Sequence, residues 1–224
     1  SERTMCTFLG IAGKMNEKDI NVKAIQESEM IFLEGYLWDK GDPQKAFDLA
    51  INNAKKTAMS LSDQFCVDRH KTHFYELVKN VLDITFSNEQ EIKSLINSNS
   101  FDDVISFGKQ INKHLVITRG SNGAIAIKNK VVTEQPAAKN LELVDLTGAG
   151  DLFAAGYLHG ELNNFSVQKS LEQGTIFGKF VTPEEFADDM LEGVDPGNKE
   201  EWNAVLKQYG LENFKGSFDE LKEY

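Results

Sequence analysis

Short apolar runs alternate with amphipathic stretches over the first half of the chain, and this pattern predicts strands alternating with helices. Five segments have the length and apolar character of strands: Arg3–Leu9, Met30–Leu33, Ala58–Leu61, Ile84–Phe86 and His114–Thr118. Apolar residues at helical spacing predict helices from Pro43 to Ala54, over residues 70–82 and over residues 101–112. Because strands joined by helices form parallel sheets, the pattern predicts a three-layer α/β fold.

The rhythm changes after residue 118. Two apolar runs, Ala124–Ile127 and Val131–Thr133, are separated by three polar residues and predict a β-hairpin. A further strand, Leu141–Val144, leads into a turn of small residues and then into a predicted helix that contains Leu152 and Phe153. A helix over residues 166–181 follows, so the strand and helix alternation resumes after the hairpin.

Charge divides the chain into two unequal parts. The 224 residues include 24 basic and 35 acidic side chains, which gives a formal net charge of −11. Residues 1–181 have a net charge of −3, whereas residues 182–224 have a net charge of −8. We therefore predict an α/β part over residues 1–181 and an acidic tail over residues 182–224.

The acidic tail has the capping signals of folded helices. Capping sequences occur at Thr182–Glu185, Asn198–Glu201 and Ser217–Glu220, and Trp202 and Leu206 lie on one predicted helical face. A helical unit of this size rarely folds alone. We expect it to dock either on the α/β part or on another chain, such as the second copy of a homodimer.

Composition disfavours several classes of protein. A net negative charge argues against binding to nucleic acid, which depends on lysine and arginine at the phosphates. The chain has no run of about 18 apolar residues that would predict a membrane span, and its first residues lack the regions of a secretory signal. Cys6 and Cys66 are the only cysteines, and no CxxC pair suggests a zinc site. These features predict a cytoplasmic protein.

The segment from Asp145 to Gly156 carries the strongest chemical signal. A predicted buried strand ends there in the turn Gly148-Ala149-Gly150, and a helix begins. The backbone N–H groups of such a turn can bind an anion, and ligands of parallel sheets bind at the carboxyl ends of strands. Asp151 lies in the first turn of the helix, where a carboxylate can accept a proton from an attacking hydroxyl group. This combination is typical of phosphoryl transfer.

Each of these features also has a purely structural interpretation. Asp151 could serve only as a helix cap, with the glycines permitting the turn, because motif matches of this length give false positives. Asn88 and Glu91 could likewise form a cap with a solvated carboxylate, and Gly120 with Gly123 could form only a hairpin turn. The spacing of glycines does not fit a P-loop or a GxGxxG fingerprint.

The pair His70 and His73 is a candidate for metal binding. These side chains lie three residues apart on a predicted helix, a spacing that could hold a metal ion. A solvated helix face is the simpler interpretation, because the four histidines of the chain are otherwise scattered.

Several segments, in the same order, resemble the ribokinase-like (PfkB) family of carbohydrate and nucleoside kinases. DLTGAGDLFAAG at residues 145–156 resembles the C-terminal signature of the family. SNEQEI at 87–92 matches its NxxE motif, and TRGSNGA at 118–124 matches its TxGxxG motif. RTMCTFLG, EGYLWD and SLSDQFCVDRH resemble further family segments. Within the family, the chain is most similar to bacterial adenosine kinase-like sugar kinases.

The resemblance implies a role for each residue of the signature. Asp151 would be the catalytic base for the acceptor hydroxyl group. The N–H groups of Gly148, Ala149, Gly150 and Asp151 would form the anion hole for the γ-phosphate. Asp145 and Thr147 would help to hold a monovalent cation, K⁺, beside it.

The same resemblance implies the cofactors ATP and Mg²⁺. Asn88 and Glu91 would organise Mg²⁺ through water near the phosphates, and Thr118, Gly120 and Gly123 would line the nucleotide. Arg69 would lie near the phosphates.

The resemblance covers residues 1–181 and begins in the middle of the family's sequence pattern. The family's N-terminal part supplies much of the acceptor site, so the chain is expected to be a fragment, a truncated product or one of two complementary chains. The resulting hypothesis is ATP-dependent phosphoryl transfer to a sugar or nucleoside. The alternative is an inactive nucleotide-binding or interaction module.

Overall fold

The computed structural model describes residues 8–39, 42–139, 146–178 and 198–208. The chain divides into two compact units, one formed by residues 2–136 and the other by residues 137–224 together with Ser1. Within the described residues, no helix is both long enough and apolar enough to cross a bilayer.

The first unit contains an alternation of strands and helices that ends in a hairpin. Its strands are β1 (Ile31–Glu34), β2 (Thr57–Ser60), β3 (Ile84–Asn88), β4 (His114–Thr118), β5 (Ala124–Lys128) and β6 (Val131–Gln135). Its α-helices are α1 (Val22–Glu27), α2 (Pro43–Asn53), α3 (Gln64–Glu76), α4 (Glu89–Leu95) and α5 (Phe101–Ile111). A π-helical turn, Leu77–Val81, follows α3, and short 3₁₀ turns occur at Ala12–Lys14, Glu17–Asp19, Gly35–Asp39 and Gly120–Asn122.

The six strands form one sheet in the order β1-β2-β3-β4-β5-β6. The first four strands are parallel, and β5 and β6 are added by antiparallel pairing. Crossovers between neighbouring parallel strands are right-handed, so strands in sequential order place their helices on one face of the sheet. The core lies there, where Phe47 of α2, Phe74 of α3 and Phe107 of α5 pack with Leu115 and Ile117 of β4.

Two predicted elements of this unit differ from the structure. The predicted strand Arg3–Leu9 falls mostly outside the described residues, and its last two residues are not in a strand. The predicted helix 70–82 begins earlier, at Gln64, because the Asp63 side chain accepts hydrogen bonds from the N–H groups of Phe65 and Cys66. Its last turn widens to π geometry, with a bond of 2.9 Å from Leu82 N to the Leu77 carbonyl.

The second unit contains helices α6 (Ala149–Leu162), α7 (Val167–Phe177) and α8 (Lys199–Gln208). Helices α6 and α7 pack backbone to backbone at small residues. A Cβ atom on Gly156 would lie 2.7 Å from the Gln173 carbonyl oxygen, and one on Gly160 would lie 2.5 Å from Ser170 Oγ. The predicted strand Leu141–Val144 lies outside the described residues.

Part of the acidic tail is described, and there it is helical as predicted. Asn198 Oδ1 accepts hydrogen bonds from the N–H groups of Glu200 and Glu201, at 3.1 and 3.3 Å, and α8 follows. Leu206 is buried, so α8 packs against the chain. The other two predicted caps of the tail, Thr182–Glu185 and Ser217–Glu220, lie outside the described residues, and the boundary at residue 181 stays a prediction.

Candidate active site

The turn that opens α6 presents backbone N–H groups. Gly148 is the N-cap residue and has φ +80°, a conformation that favours glycine. The first bond of the i to i−4 type runs from Leu152 N to the Gly148 carbonyl, at 2.9 Å. The N–H groups of Gly150 and Asp151 precede that bond, and such groups at a helix start have no intrahelical acceptor. Together with the helix dipole, they favour an anion at this turn.

Nothing in the described part of the chain requires glycine at position 150. Its φ is not positive, and a Cβ atom placed there would meet no heavy atom of the described residues within 4 Å. Glycine within a helix costs about 1 kcal/mol relative to alanine. A bare backbone at an exposed helix start is therefore explained better by the close approach of a ligand than by packing.

Asp151 lies in the first turn of α6, and its side chain is exposed. A carboxylate there is accessible to a substrate hydroxyl group, beside the N–H groups that would bind a phosphoryl oxygen. Thr147 is also exposed. Asp145, the other predicted cation ligand, lies outside the described residues.

Asn88 and Glu91 form a reciprocal capping box at the start of α4. Glu91 N donates to Asn88 Oδ1 at 2.9 Å, and Asn88 N donates to Glu91 Oε2 at 2.8 Å. Asn88 Nδ2 donates to the other carboxylate oxygen, Glu91 Oε1, at 2.6 Å. The cap predicted for Asn88 and Glu91 is therefore present.

The Glu91 carboxylate, however, is not solvated. Glu91 is only 4% exposed, and burial raises its pKa to about 7. Burial is the largest cause of this pKa; the bond from Asn88 N opposes it, and the charges of Asp63 and Glu34 add to it. A cap does not require a buried carboxylate, and a pKa this strongly perturbed is a feature of functional sites.

Ser87 precedes the box and has a buried hydroxyl group. Ser87 is only 6% exposed, and its Oγ has no hydrogen-bond partner among the described residues. Buried polar atoms are nearly always bonded to protein or to ordered water. The surroundings of the Asn88–Glu91 box therefore contain polar groups that water would satisfy.

The β4–β5 turn lies next to this box. Thr118 is the register partner of Asn88 on the neighbouring strand. Gly120 and Gly123 both have positive φ, +54° and +81°, and Arg119 N donates to the Gly123 carbonyl at 2.7 Å. The glycines thus form a tight turn, and the fold brings the NxxE and TxGxxG motifs together at the carboxyl end of two adjacent parallel strands.

Arg119, inside this turn, was not predicted as a site residue. Its Nε donates to Glu89 Oε2 at 3.0 Å, and its guanidinium carbon lies 3.8 Å from the centroid of the Phe101 ring. Lys93 Nζ approaches the other Glu89 oxygen at 2.6 Å. The spacing of Glu89 and Lys93 on α4 could have indicated their ion pair. The contacts of Arg119 are tertiary and leave no local signal.

Arg69 and the histidine pair lie elsewhere on α3. Arg69 is exposed on that helix. His70 and His73 are half-buried against Trp38, with ring centroids 6.1 and 4.0 Å from it, so the solvated helix face was the wrong interpretation. Burial lowers the pKa of His73. No group of three or more His, Cys, Asp or Glu side chains suited to a metal ion occurs in the described part of the chain.

Comparison with known proteins decides the family. The family model described as pfkB family carbohydrate kinase matches residues 1–192. The chain belongs to the PfkB family of carbohydrate kinases. This match confirms the resemblance drawn from the motifs, and it includes every predicted site residue of the PfkB signature, of the NxxE motif and of the TxGxxG motif.

Relatives of this PfkB chain include nucleoside and sugar kinases. Adenosine kinase of Schizosaccharomyces pombe is 31% identical over 177 residues, which are 70% of this chain and 52% of that protein. The crystal structure of adenosine kinase from Sinorhizobium meliloti superimposes with a TM-score of 0.73 at 30% identity, over 75% of this chain and 53% of that one.

A probable sugar kinase from Rhizobium etli matches with a TM-score of 0.72 at 29% identity, over 88% of this chain and 58% of that one. These neighbours confirm the predicted ribokinase-like α/β fold. The chain spans about half the length of the relatives that it matches.

Proposed function

We propose that the protein transfers the γ-phosphoryl group of ATP to a hydroxyl group of a sugar or nucleoside. The turn Gly148–Asp151 is the observation that carries this proposal. It combines N–H groups without intrahelical acceptors, a glycine at 150 that the fold does not require and an exposed carboxylate. Family membership supports a kinase, and the geometry of the turn suits an anion with a base beside it.

The residues of the turn divide the chemistry between them. Asp151 accepts the proton of the acceptor hydroxyl group as its oxygen attacks the γ-phosphorus, and the bond from that phosphorus to the bridging oxygen of ADP breaks. The N–H groups of Gly148, Ala149, Gly150 and Asp151 would donate to the oxygens of the transferring group and stabilise the charge that develops there. Ala149 N donates to the Leu146 carbonyl at 3.3 Å in this structure, so binding would exchange that bond for one to the phosphoryl group.

Asn88 and Glu91 are the residues that fit Mg²⁺. Mg²⁺ prefers oxygen ligands and retains much of its hydration shell. The Glu91 carboxylate has lone pairs beyond those used in the capping box. Ser87, whose Oγ has no hydrogen-bond partner among the described residues, directly precedes Asn88. When bound, Mg²⁺ would neutralise charge on the phosphates. Thr147 and Asp145 offer oxygens for K⁺.

The β4–β5 turn would line the nucleotide. Thr118, Gly120 and Gly123 belong to a tight bend in which both glycines have positive φ, and Gly120 is exposed whereas Gly123 is buried. Arg69, exposed on α3, would contribute positive charge near the phosphates.

Replacing the base tests the proposal. Asp151→Asn should lower turnover by about 10²–10⁴-fold, because the amide cannot accept the proton, while ATP affinity changes less than about twofold. Asp102→Asn is the matched control, since Asp102 is also an exposed aspartate in the first turn of a helix. Coupled kinase assays on adenosine and on common sugars, with calorimetry for ATP, provide the two readouts.

Two outcomes would contradict the assignment in different ways. Undiminished turnover of Asp151→Asn would exclude Asp151 as the base. ATP binding by the wild type without transfer to any acceptor would instead assign the chain as a nucleotide-binding module.

A further inference from the structure

The guanidinium group of Arg119 joins three elements of the first unit. It belongs to the β4–β5 turn, it is bonded to Glu89 in the first turn of α4, and it lies over the ring of Phe101 at the first position of α5. The side chains of Arg119 and Glu89 are each only 23% exposed. Partial burial strengthens such an ion pair relative to a solvated one, because less water screens it.

The two charged partners of Glu89 hold its carboxylate ionised. Lys93 and Arg119 occupy different oxygens, and these contacts lower the pKa of Glu89 below its usual value. Phe101 also lies 6.0 Å from Lys93 Nζ, so the ring faces both cations. Arg119, Glu89, Lys93 and Phe101 are called the Arg119 cluster below.

The Arg119 cluster lies between the two motifs that the proposed function assigns to nucleotide and Mg²⁺. Glu89 is the residue after Asn88 and two residues before Glu91, within the capping box. Arg119 follows Thr118 directly and anchors the turn through the bond from its N–H group to Gly123. A change in the position of Arg119 therefore moves the turn relative to the box.

We propose that Arg119 is a positioning residue that fixes the Thr118–Gly123 turn against the Asn88–Glu91 box and so sets the affinity for the nucleotide. It acts through Glu89 and Phe101 and not by contact with ATP. Lysine would not replace it fully, because the planar guanidinium donates to a carboxylate and stacks on a ring at the same time. This role rests on the proposed function only for the identity of the ligand.

A double-mutant cycle tests the proposal. Arg119→Gln, Glu89→Gln and the double variant should each raise the dissociation constant of Mg²⁺-ATP about five- to tenfold in calorimetry, and the double variant should be no worse than the singles. Turnover at saturating ATP should fall less than twofold. Arg119→Lys should give an intermediate dissociation constant. Lys55→Gln is the control, since it removes a cation from an exposed ion pair with Glu29.

Hydrogen exchange provides a readout that does not depend on the ligand. Without nucleotide, Arg119→Gln and Glu89→Gln should each accelerate exchange of the Gly123 and Glu91 amides about fivefold, while Lys55→Gln leaves them unchanged. Unchanged exchange in both variants would overturn the proposal. A weaker ATP affinity for Arg119→Gln with normal affinity for Glu89→Gln would also overturn it and would assign direct contact with ATP. Absence of ATP binding by the wild type would refute the proposed function, and the exchange data would still decide the positioning role.

Discussion

Two described helices of this chain begin with the same four-residue pattern, and only one of them has a buried carboxylate. Asn88–Glu91 opens α4, and Asn198–Glu201 opens α8. In both, the amide Oδ1 caps the N–H group of the glutamate, and the amide Nδ2 donates to the carboxylate, at 2.6 Å in the first and 2.8 Å in the second. The first box lies at the end of β3, beside Thr118 of β4, and the second lies beyond the residues matched by the family model.

The difference between the boxes is burial. Glu91 is 4% exposed and its pKa is about 7, whereas Glu201 lies in solvent. The N-x-x-E spacing by itself therefore encodes a helix cap. What distinguishes the two boxes is tertiary structure, which removes the Glu91 carboxylate from water and leaves that of Glu201 exposed.

The comparison predicts that only the buried box makes stability depend on pH near neutrality. Folding raises the pKa of Glu91 from 4.5 to about 7, so the folded state keeps a proton that the unfolded state loses. Stability should fall as pH rises from about 4.5 to 7, and by about 3 kcal/mol in total. Glu91→Gln should lack this contribution, which chemical denaturation at a series of pH values would show.

The exposed box supplies the control for this experiment. Glu201→Gln should change the free energy of unfolding by less than about 0.5 kcal/mol, as expected for a solvent-exposed side chain. A Glu91→Gln profile parallel to that of the wild type would show that another group causes the slope.

Two glycines of α6 allow a similar comparison, because a Cβ atom would clash at Gly156 but not at Gly150 among the described residues. Gly150→Ala should leave stability unchanged or raise it by up to about 1 kcal/mol, because alanine favours helix and the added Cβ meets no atom of the residues that the structure describes. Turnover should fall about tenfold or more if the backbone there binds the phosphoryl group. Thermal denaturation and kinase assays on the same preparation measure both effects.

Gly156→Ala in the same helix should behave in the opposite way. Its Cβ atom would lie 2.7 Å from the Gln173 carbonyl oxygen, so overpacking should cost about 1–3 kcal/mol. If Gly150→Ala were destabilising and fully active, Gly150 would be a structural glycine and the anion hole would lose its main support.

Much of the fold could be predicted because it follows from local pattern. The predicted bounds of β4 match the observed ones, since the continuous apolar run Leu115–Ile117 is flanked on both sides by polar residues. The predicted helix 70–82 starts six residues later than α3 does. Its first turn was missed because Phe65 is exposed there and does not fit the apolar spacing, although Asp63 caps the helix. The π turn at Leu77–Val81 preserves apolar spacing and so leaves no signal that separates it from an α-helix.

For the candidate site, the sequence predicted which residues lie in which element but not the tertiary contacts between them. The family motifs placed Asn88, Glu91 and Asp151 in their elements, as observed. The burial of Glu91 was missed because SNEQEI is polar in sequence and its surroundings come from distant residues such as Asp63 and Glu34. Arg119 and Phe101 are far apart along the chain, so their contact exists only in the folded structure.

The smallest expected effect comes from a variant that keeps the helix cap and removes only the bond from Asn88 Nδ2 to Glu91 Oε1. Asn88→Ser retains an oxygen that can cap the helix but removes the Nδ2 donor to Glu91 Oε1, so the buried carboxylate loses a partner. We expect a loss of about 1 kcal/mol at pH 8, where the carboxylate is ionised, and less at pH 5, where it is protonated. Asn198→Ser removes the equivalent donor in solvent and should cost only a few tenths of a kcal/mol, because water replaces the lost bond. Equal losses in the two variants at pH 8 would show that burial does not distinguish the boxes, and denaturation curves for both at the two pH values decide the question.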